Sequence, residues 1–172
     1  TLLTEALNRH AFHSLLTRDE SADESKIDGC VAVIDIDNLK PINDQYGHSV
    51  GDKSIRAVAR AARSLIRADD MLFRWGGDEF LLLMFRLHEE EAARRMKTLN
   101  GILEENAAQW TSSVAKISVS TGVSGFGSLK ELSEAIERAD QAMYKTRQRA
   151  RAPRKIITRL TEHLPQPQEL PT

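Results

Sequence analysis

The chain has 172 residues, a net charge of −1 and 41% apolar residues. That length predicts one domain with a real core. The charge gives no basic footprint for bulk DNA or RNA. Its one cysteine, Cys30, excludes a disulfide or zinc framework and fits a reducing, cytoplasmic compartment, and no apolar run has the length of a membrane span or a signal-peptide core.

In chain order, Asn8 to Leu16 reads as a short leading helix and Asp19 to Asp28 as a polar loop. Val31 to Ile34 is continuously apolar and β-branched, as a central strand buried on both faces requires. Asp35 falls at its C-terminal end, where open α/β sheets place ligands. A carboxylate there costs free energy unless it is paired or binds metal; a helix cap is the plainer reading. Val50 to Ile66 carries Ile55, Val58, Ala59, Ala62, Leu65 and Ile66 as a helical stripe. Met71 to Phe73 and Phe80 to Phe85 read as strands, with Gly76-Gly77 as a tight hairpin turn bearing Asp78 and Glu79. Carboxylates held rigidly at a sheet end attract a hard cation such as Mg²⁺, whereas an ordinary hairpin would leave them as a solvated acidic turn. Glu89 to Ala108 reads as a helix, Lys116 to Ser124 as a strand, Leu129 to Arg147 as a helix and Lys155 to Thr158 as an edge strand. The Pro-rich segment 159–172 reads as a disordered tail. Asp35 with Asp78 and Glu79 brings carboxylates to two neighbouring strand ends, an arrangement that two-metal phosphoryl transfer needs, with ions roughly 3.5–4 Å apart.

The block from Asp35 to Asp52 follows the pattern D-x-D-x-x-K-x-x-N-D-x-x-G-H-x-x-G-D. With Gly76-Gly77-Asp78-Glu79-Phe80, Ser118 to Gly122 and Ala139 to Tyr144, it resembles the GGDEF family of diguanylate cyclases. The order and spacing of the blocks make this specific where a lone motif would not be. The resemblance runs from Leu3 to about Arg151, so residues 1–158 are expected to form the domain. It implies an α+β fold: a βαββαβ palm-like, ferredoxin-like core with a central antiparallel sheet and helices on one face.

The resemblance also implies roles. Asp35, Asp78 and Glu79 are the expected catalytic residues. Asp35 and Asp78 would hold Mg²⁺ (or Mn²⁺ in its place), with the Ile36 carbonyl and with Glu79 as ligand or near neighbour. Backbone amides of Asp37, Asn38 and Leu39 would cradle phosphates, with Gly76 and Gly77 lining the substrate site and Lys40 meeting the terminal phosphates. Asn43 and Asp52 would read the guanine edge, favouring GTP over ATP because a carboxylate accepts from N1–H and N2–H₂. As plainer readings, Asn43 is a turn residue and Asp52 an N-cap. Arg67 and Asp70 match the R-x-x-D of a product-binding inhibitory site. Arg147 and Arg151 align with phosphate-contacting Lys and Arg.

The chain departs from the family pattern at several points: Thr1, Glu5, Ala6 and His10 in the opening motif, and Arg147 and Ala150 near the end. Arg for Lys changes a point charge into a planar fork. The implied reaction joins two GTP into cyclic di-GMP with release of two pyrophosphates, in a homodimer whose sites face each other, under feedback inhibition by product. A sensory or receiver domain upstream, soluble or membrane-anchored, is expected from the resemblance. The alternative is a non-catalytic cyclic di-GMP or GTP binding module of a larger regulator.

Overall fold

The computed structural model describes residues 3–17, 27–107 and 116–147. The edge strand expected at Lys155 to Thr158, the tail, Ala150, Arg151 and most of the loop from Asp19 lie outside these residues. Among the described residues the elements are α1 (Arg9–Thr17), β1 (Gly29–Ile36), α2 (Leu39–Tyr46), α3 (His48–Ser64), β2 (Met71–Arg74), β3 (Glu79–Phe85), α4 (Glu89–Glu105), β4 (Val119–Phe126), a 3-10 turn (Leu129–Glu131) and α5 (Leu132–Thr146). The four strands form one antiparallel sheet in the order β2-β3-β1-β4. This is the βαββαβ arrangement expected from the sequence.

β1 is buried along all eight residues, which alternate between two cores. Ala32, Ile34 and Ile36 join Phe80, Leu82 and Met84 of β3 against Val58 and Ala62 of α3 and Met96 and Leu99 of α4. Val31 and Val33 join Leu81, Leu83 and Phe73 against Phe12 of α1 and Leu132, Ile136 and Met143 of α5. Helices therefore cover both faces, which corrects the expectation of helices on one face. The physical reason lies in β1 itself, since a strand apolar without a break from Cys30 to Ile34 must be covered on both sides.

Close approach of α5 to the sheet depends on Gly122 of β4. A Cβ there would collide with the carbonyl oxygen of Ala139. α4 fixes the start of β4 through Asn100, which accepts from the Val119 amide at 2.8 Å and donates to the Val119 carbonyl at 3.0 Å. Upstream of α1, Leu7 bridges to Phe73 beside β2, donating to Leu72 O at 2.9 Å and accepting from the Arg74 amide at 2.8 Å. Phe12 packs edge-on against Phe73 and Trp75, so α1 is anchored to the hairpin that carries Asp78 and Glu79.

Candidate active site at the ends of β1 and β3

Antiparallel pairing sets Asp35 directly opposite Glu79. Side chains opposite each other in a ladder share a face, and here that is the α5 face. The Ile36 amide donates to the Asp78 carbonyl at 2.9 Å, extending the pairing one step past Glu79. Asp35 is fully buried and Glu79 is 2% exposed, whereas Asp78 is partly exposed. The structure thus brings together the two strand ends expected to carry the carboxylates.

The turn between β2 and β3 is wider than the tight Gly-Gly hairpin expected. Trp75 donates its amide to Glu79 O at 2.8 Å, so residues 75–78 form the loop. Neither Gly76 nor Gly77 has the positive φ that tight hairpin turns use; among described glycines that belongs to Gly47. Arg74 explains the wider shape. Its guanidinium donates to the carbonyls of Gly76 at 3.2 Å and Gly77 at 3.0 Å. On the other side Arg9 donates to Trp75 O at 2.9 Å and lies over the indole ring.

Two carboxylates of this site were not singled out as side chains from the sequence. Asp37 accepts hydrogen bonds from Ser118 Oγ and Ser120 Oγ, each at 2.8 Å. Asp140, on α5, is 7% exposed, and its Oδ1 has no hydrogen-bond partner among the described residues. Its carboxyl is pushed up to about 6, first by burial and then by the charges of Glu79 and Glu137, with Arg147 opposing. The signal for Asp140 was its place on the inward stripe of α5, one residue from Ala139, where a charge needs a reason.

Arg147 sits among these acids and not at an open phosphate position. It donates to Asp35 Oδ2 at 2.8 Å, Asp37 Oδ1 at 3.0 Å and Ser120 Oγ at 3.1 Å. Its planar fork serves the two carboxylates through separate nitrogens, a fixed geometry that the point charge of Lys does not offer.

The helix start beyond β1 also differs in detail from expectation. The Asp37 amide is committed to the Ser118 carbonyl at 2.9 Å, so it is not available to a phosphate. Asn38 adopts the left-handed conformation at φ 58° as the N-cap of α2. Leu39 and Lys40 open that helix, with Lys40 exposed. Their amides have no carbonyl one turn earlier within α2, as in any first turn. α3 begins at His48 after Gly47 as N-cap, so Asp52 is an exposed residue inside α3 and not its N-cap. Asn43, near the end of α2, lies against Gly51 of α3, next to Asp52.

Arg67 and Asp70 lie apart from the carboxylate cluster, between α3 and β2. The Asp70 side chain is fully buried, and the Arg67 side chain is 46% exposed. Asp70 accepts from the amides of Arg67 at 2.9 Å and Phe85 at 3.0 Å. It thereby ties the loop to the end of β3, and Arg67 also donates to the Phe85 carbonyl.

Among the described residues, no three His, Cys, Asp or Glu side chains converge as a metal cage. The donors at hand are all oxygen: Asp35 and Glu79 in register, Asp78 beside them, and backbone carbonyls. Mg²⁺ is held by one or two carboxylates completed by substrate phosphates and water, so this set fits a hard divalent cation.

Residues 2–153 match the family described as "Diguanylate cyclase, GGDEF domain". The chain belongs to the GGDEF diguanylate cyclase family. It is 30% identical over 152 residues to diguanylate cyclase DosC of Escherichia coli (strain K12), covering 87% of this chain and 33% of that protein. The GGDEF chain thus spans about a third of the length of that relative. Among solved structures it resembles the GGDEF domain of DgcB from Caulobacter crescentus in complex with c-di-GMP. That match has a TM-score of 0.70 and 30% identity, covering 87% of this chain and 90% of that one. It also resembles diguanylate cyclase SiaD of Pseudomonas aeruginosa, solved with its activator SiaC, at a TM-score of 0.72 and 28% identity, covering 87% and 58%. Cyclases of this family use a divalent metal. No helix among the described residues is long and apolar enough to cross a membrane.

Proposed function

We propose that this GGDEF domain is a Mg²⁺-dependent diguanylate cyclase that condenses two GTP into cyclic di-GMP and two pyrophosphates. The observation that carries the reading is the register of β1 on β3, with Asp35 opposite Glu79 and Asp78 bonded beside Ile36. Buried carboxylates at the ends of packed strands hold their geometry, and phosphoryl transfer is chiefly positioning and electrostatics.

Asp35 and Asp78, with the Ile36 carbonyl and Glu79, would hold Mg²⁺, with Mn²⁺ as a substitute. When bound, the cation lowers the pKa of the attacking 3′-hydroxyl and offsets charge on the α-phosphate. Asp78 or Glu79 would take the hydroxyl proton. The amides of Asn38 and Leu39 at the start of α2, with Lys40, would bind the β- and γ-phosphates. Gly76 and Gly77 would let the nucleotide approach the backbone. Arg147 would partner phosphate oxygens after leaving Asp35, and Arg151 is proposed for the same role. Asn43 and Asp52 would hold the guanine edge and reject ATP, whose base lacks the N1–H and N2–H₂ donors.

Each subunit presents one GTP, so turnover takes a homodimer with facing sites. Cyclic di-GMP would inhibit at Arg67 and Asp70, with the exposed Arg67 fork taking phosphate and Asp70 holding the loop that presents it. The reaction is expected where GTP is found, on the cytoplasmic side of any membrane.

Incubation with GTP and Mg²⁺, followed by anion-exchange chromatography, tests this reading. A cyclase makes cyclic di-GMP from GTP and nothing comparable from ATP. A binding module retains nucleotide without product, and that result would replace the enzymatic reading.

A further inference from the structure

Resting on the nucleotide site proposed above, we infer that Gly51 is a positioning residue for guanine specificity. It acts by leaving the room in which the Asn43 carboxamide lies. Three observations carry this. First, Gly51 does not need to be glycine for backbone reasons. It is buried inside α3 with an ordinary negative φ, and its amide donates to Gly47 O at 3.2 Å as a helix residue does. At such a position Ala is the better helix former. Second, the space above Gly51 is taken. A Cβ there would overlap Asn43 Oδ1, stand 2.8 Å from its Cγ and 3.4 Å from its Nδ2. Outside its own stretch of helix, the three nearest atoms it would meet all belong to that one side chain. Third, Asn43 is partly exposed and its carboxamide makes no side-chain hydrogen bond among the described residues, so Oδ1 rests against Gly51 while no other side chain of the fold engages its polar atoms.

A Cβ at position 51 therefore has one soft neighbour to displace, the far end of Asn43. The fold can yield by turning Asn43 away, and the loss would appear in base recognition and not in stability. The close contact also explains why α2 and α3 meet at a residue without a side chain. Gly51 sets the pose of Asn43 beside Asp52, the next residue along α3, and the two would address the same base edge.

The test uses the whole chain with Mg²⁺ and 3′-deoxy-GTP, which keeps the base and triphosphate but lacks the attacking hydroxyl. Binding is measured by titration calorimetry for wild type, Gly51→Ala, Asn43→Ala and the double variant, with 3′-deoxy-ATP as the comparison ligand. Gly51→Ala is expected to bind 3′-deoxy-GTP about tenfold more weakly, the equivalent of one lost base-edge hydrogen bond. Its preference over 3′-deoxy-ATP should shrink by the same factor. The double variant should bind no worse than Asn43→Ala alone, because both changes remove the same contact. Wild-type affinity in Gly51→Ala with weakened Asn43→Ala would overturn the positioning role and leave the site reading intact. Wild-type affinity in Asn43→Ala would overturn both. Should Gly51→Ala melt below wild type, removal of Asn43 beyond Cβ must restore the melting temperature. A double variant that melts equally low would overturn the proposal.

Discussion

Replacing Arg147 by Met should destabilise the protein strongly in metal-free buffer. Asp35 is fully buried, and the Arg147 side chain is only 10% exposed; the two meet at 2.8 Å. Met fills the volume of the stem but leaves a buried carboxylate without its cation. Breaking a buried pair from one side costs about 3–5 kcal/mol. The lower figure applies here, since Asp37, which shares the guanidinium at 3.0 Å, is 24% exposed and keeps both serine hydroxyls. In a chain of this size about 3 kcal/mol lowers the melting temperature by about 6–12 °C. The assay is thermal unfolding followed by circular dichroism in EDTA. Adding Asp35→Asn to Arg147→Met should recover much of the loss, because the uncompensated charge is then gone. Millimolar Mg²⁺ should also raise the melting temperature of Arg147→Met more than that of wild type, as a cation takes the vacated role. A variant melting within 2 °C of wild type in EDTA would refute the reasoning.

Asp140 sets a pH dependence. Its carboxyl is raised from 3.8 to about 6 by burial first and by Glu79 and Glu137 next. The folded chain then binds this proton more tightly than the unfolded chain, so the Asp140 contribution falls as pH rises from about 4 to 6 and stays low above that. Asp140→Asn should gain stability over wild type across that window, with a constant difference above it; a difference independent of pH would refute the assignment. Arg67→Ala should relieve inhibition by cyclic di-GMP and spare catalysis, whereas equal inhibition of wild type and variant would move the inhibitory site elsewhere. The Cys30 thiol is buried, donates to the Leu87 carbonyl and is raised to about 11, mainly by burial and then by Glu89 and Asp28. It should resist thiol reagents at about pH 8 until the chain is unfolded, and rapid labelling of the native protein would show that β1 opens.

Apolar patterning made the four strands and the long helices legible in the sequence, because burial is written in residue type. The convergence of Asp35 with Asp78 and Glu79 was also readable, since each follows or opens a strand that must sit in the sheet. What escaped depends on contacts between distant segments. No local pattern says that Ser118 and Ser120 will close on Asp37, or that Arg147 will reach Asp35 from 112 residues away. The short helix α2 carries only Leu39 and Ile42 as buried residues, too few for a periodic signal. Gly76-Gly77 invited a tight turn, but the nearby Arg74 guanidinium holds both turn carbonyls in a wider loop, a local contact that residue type alone does not announce. Asp70 looked like a ligand in sequence, and two backbone amides hold it in the structure.

The central claim is two-subunit cyclisation of GTP, and its most direct test forces the subunits together. A parallel dimeric coiled coil fused before Thr1 raises the effective concentration of the second site. With GTP and Mg²⁺, phosphorus NMR should then show cyclic di-GMP and pyrophosphate growing in a ratio of one to two, faster than in the unfused chain at equal concentration. Asp78→Ala in the same fusion should give neither. Pyrophosphate without the cyclic dinucleotide, or the same specific activity in a proven monomer at every dilution, would contradict the account.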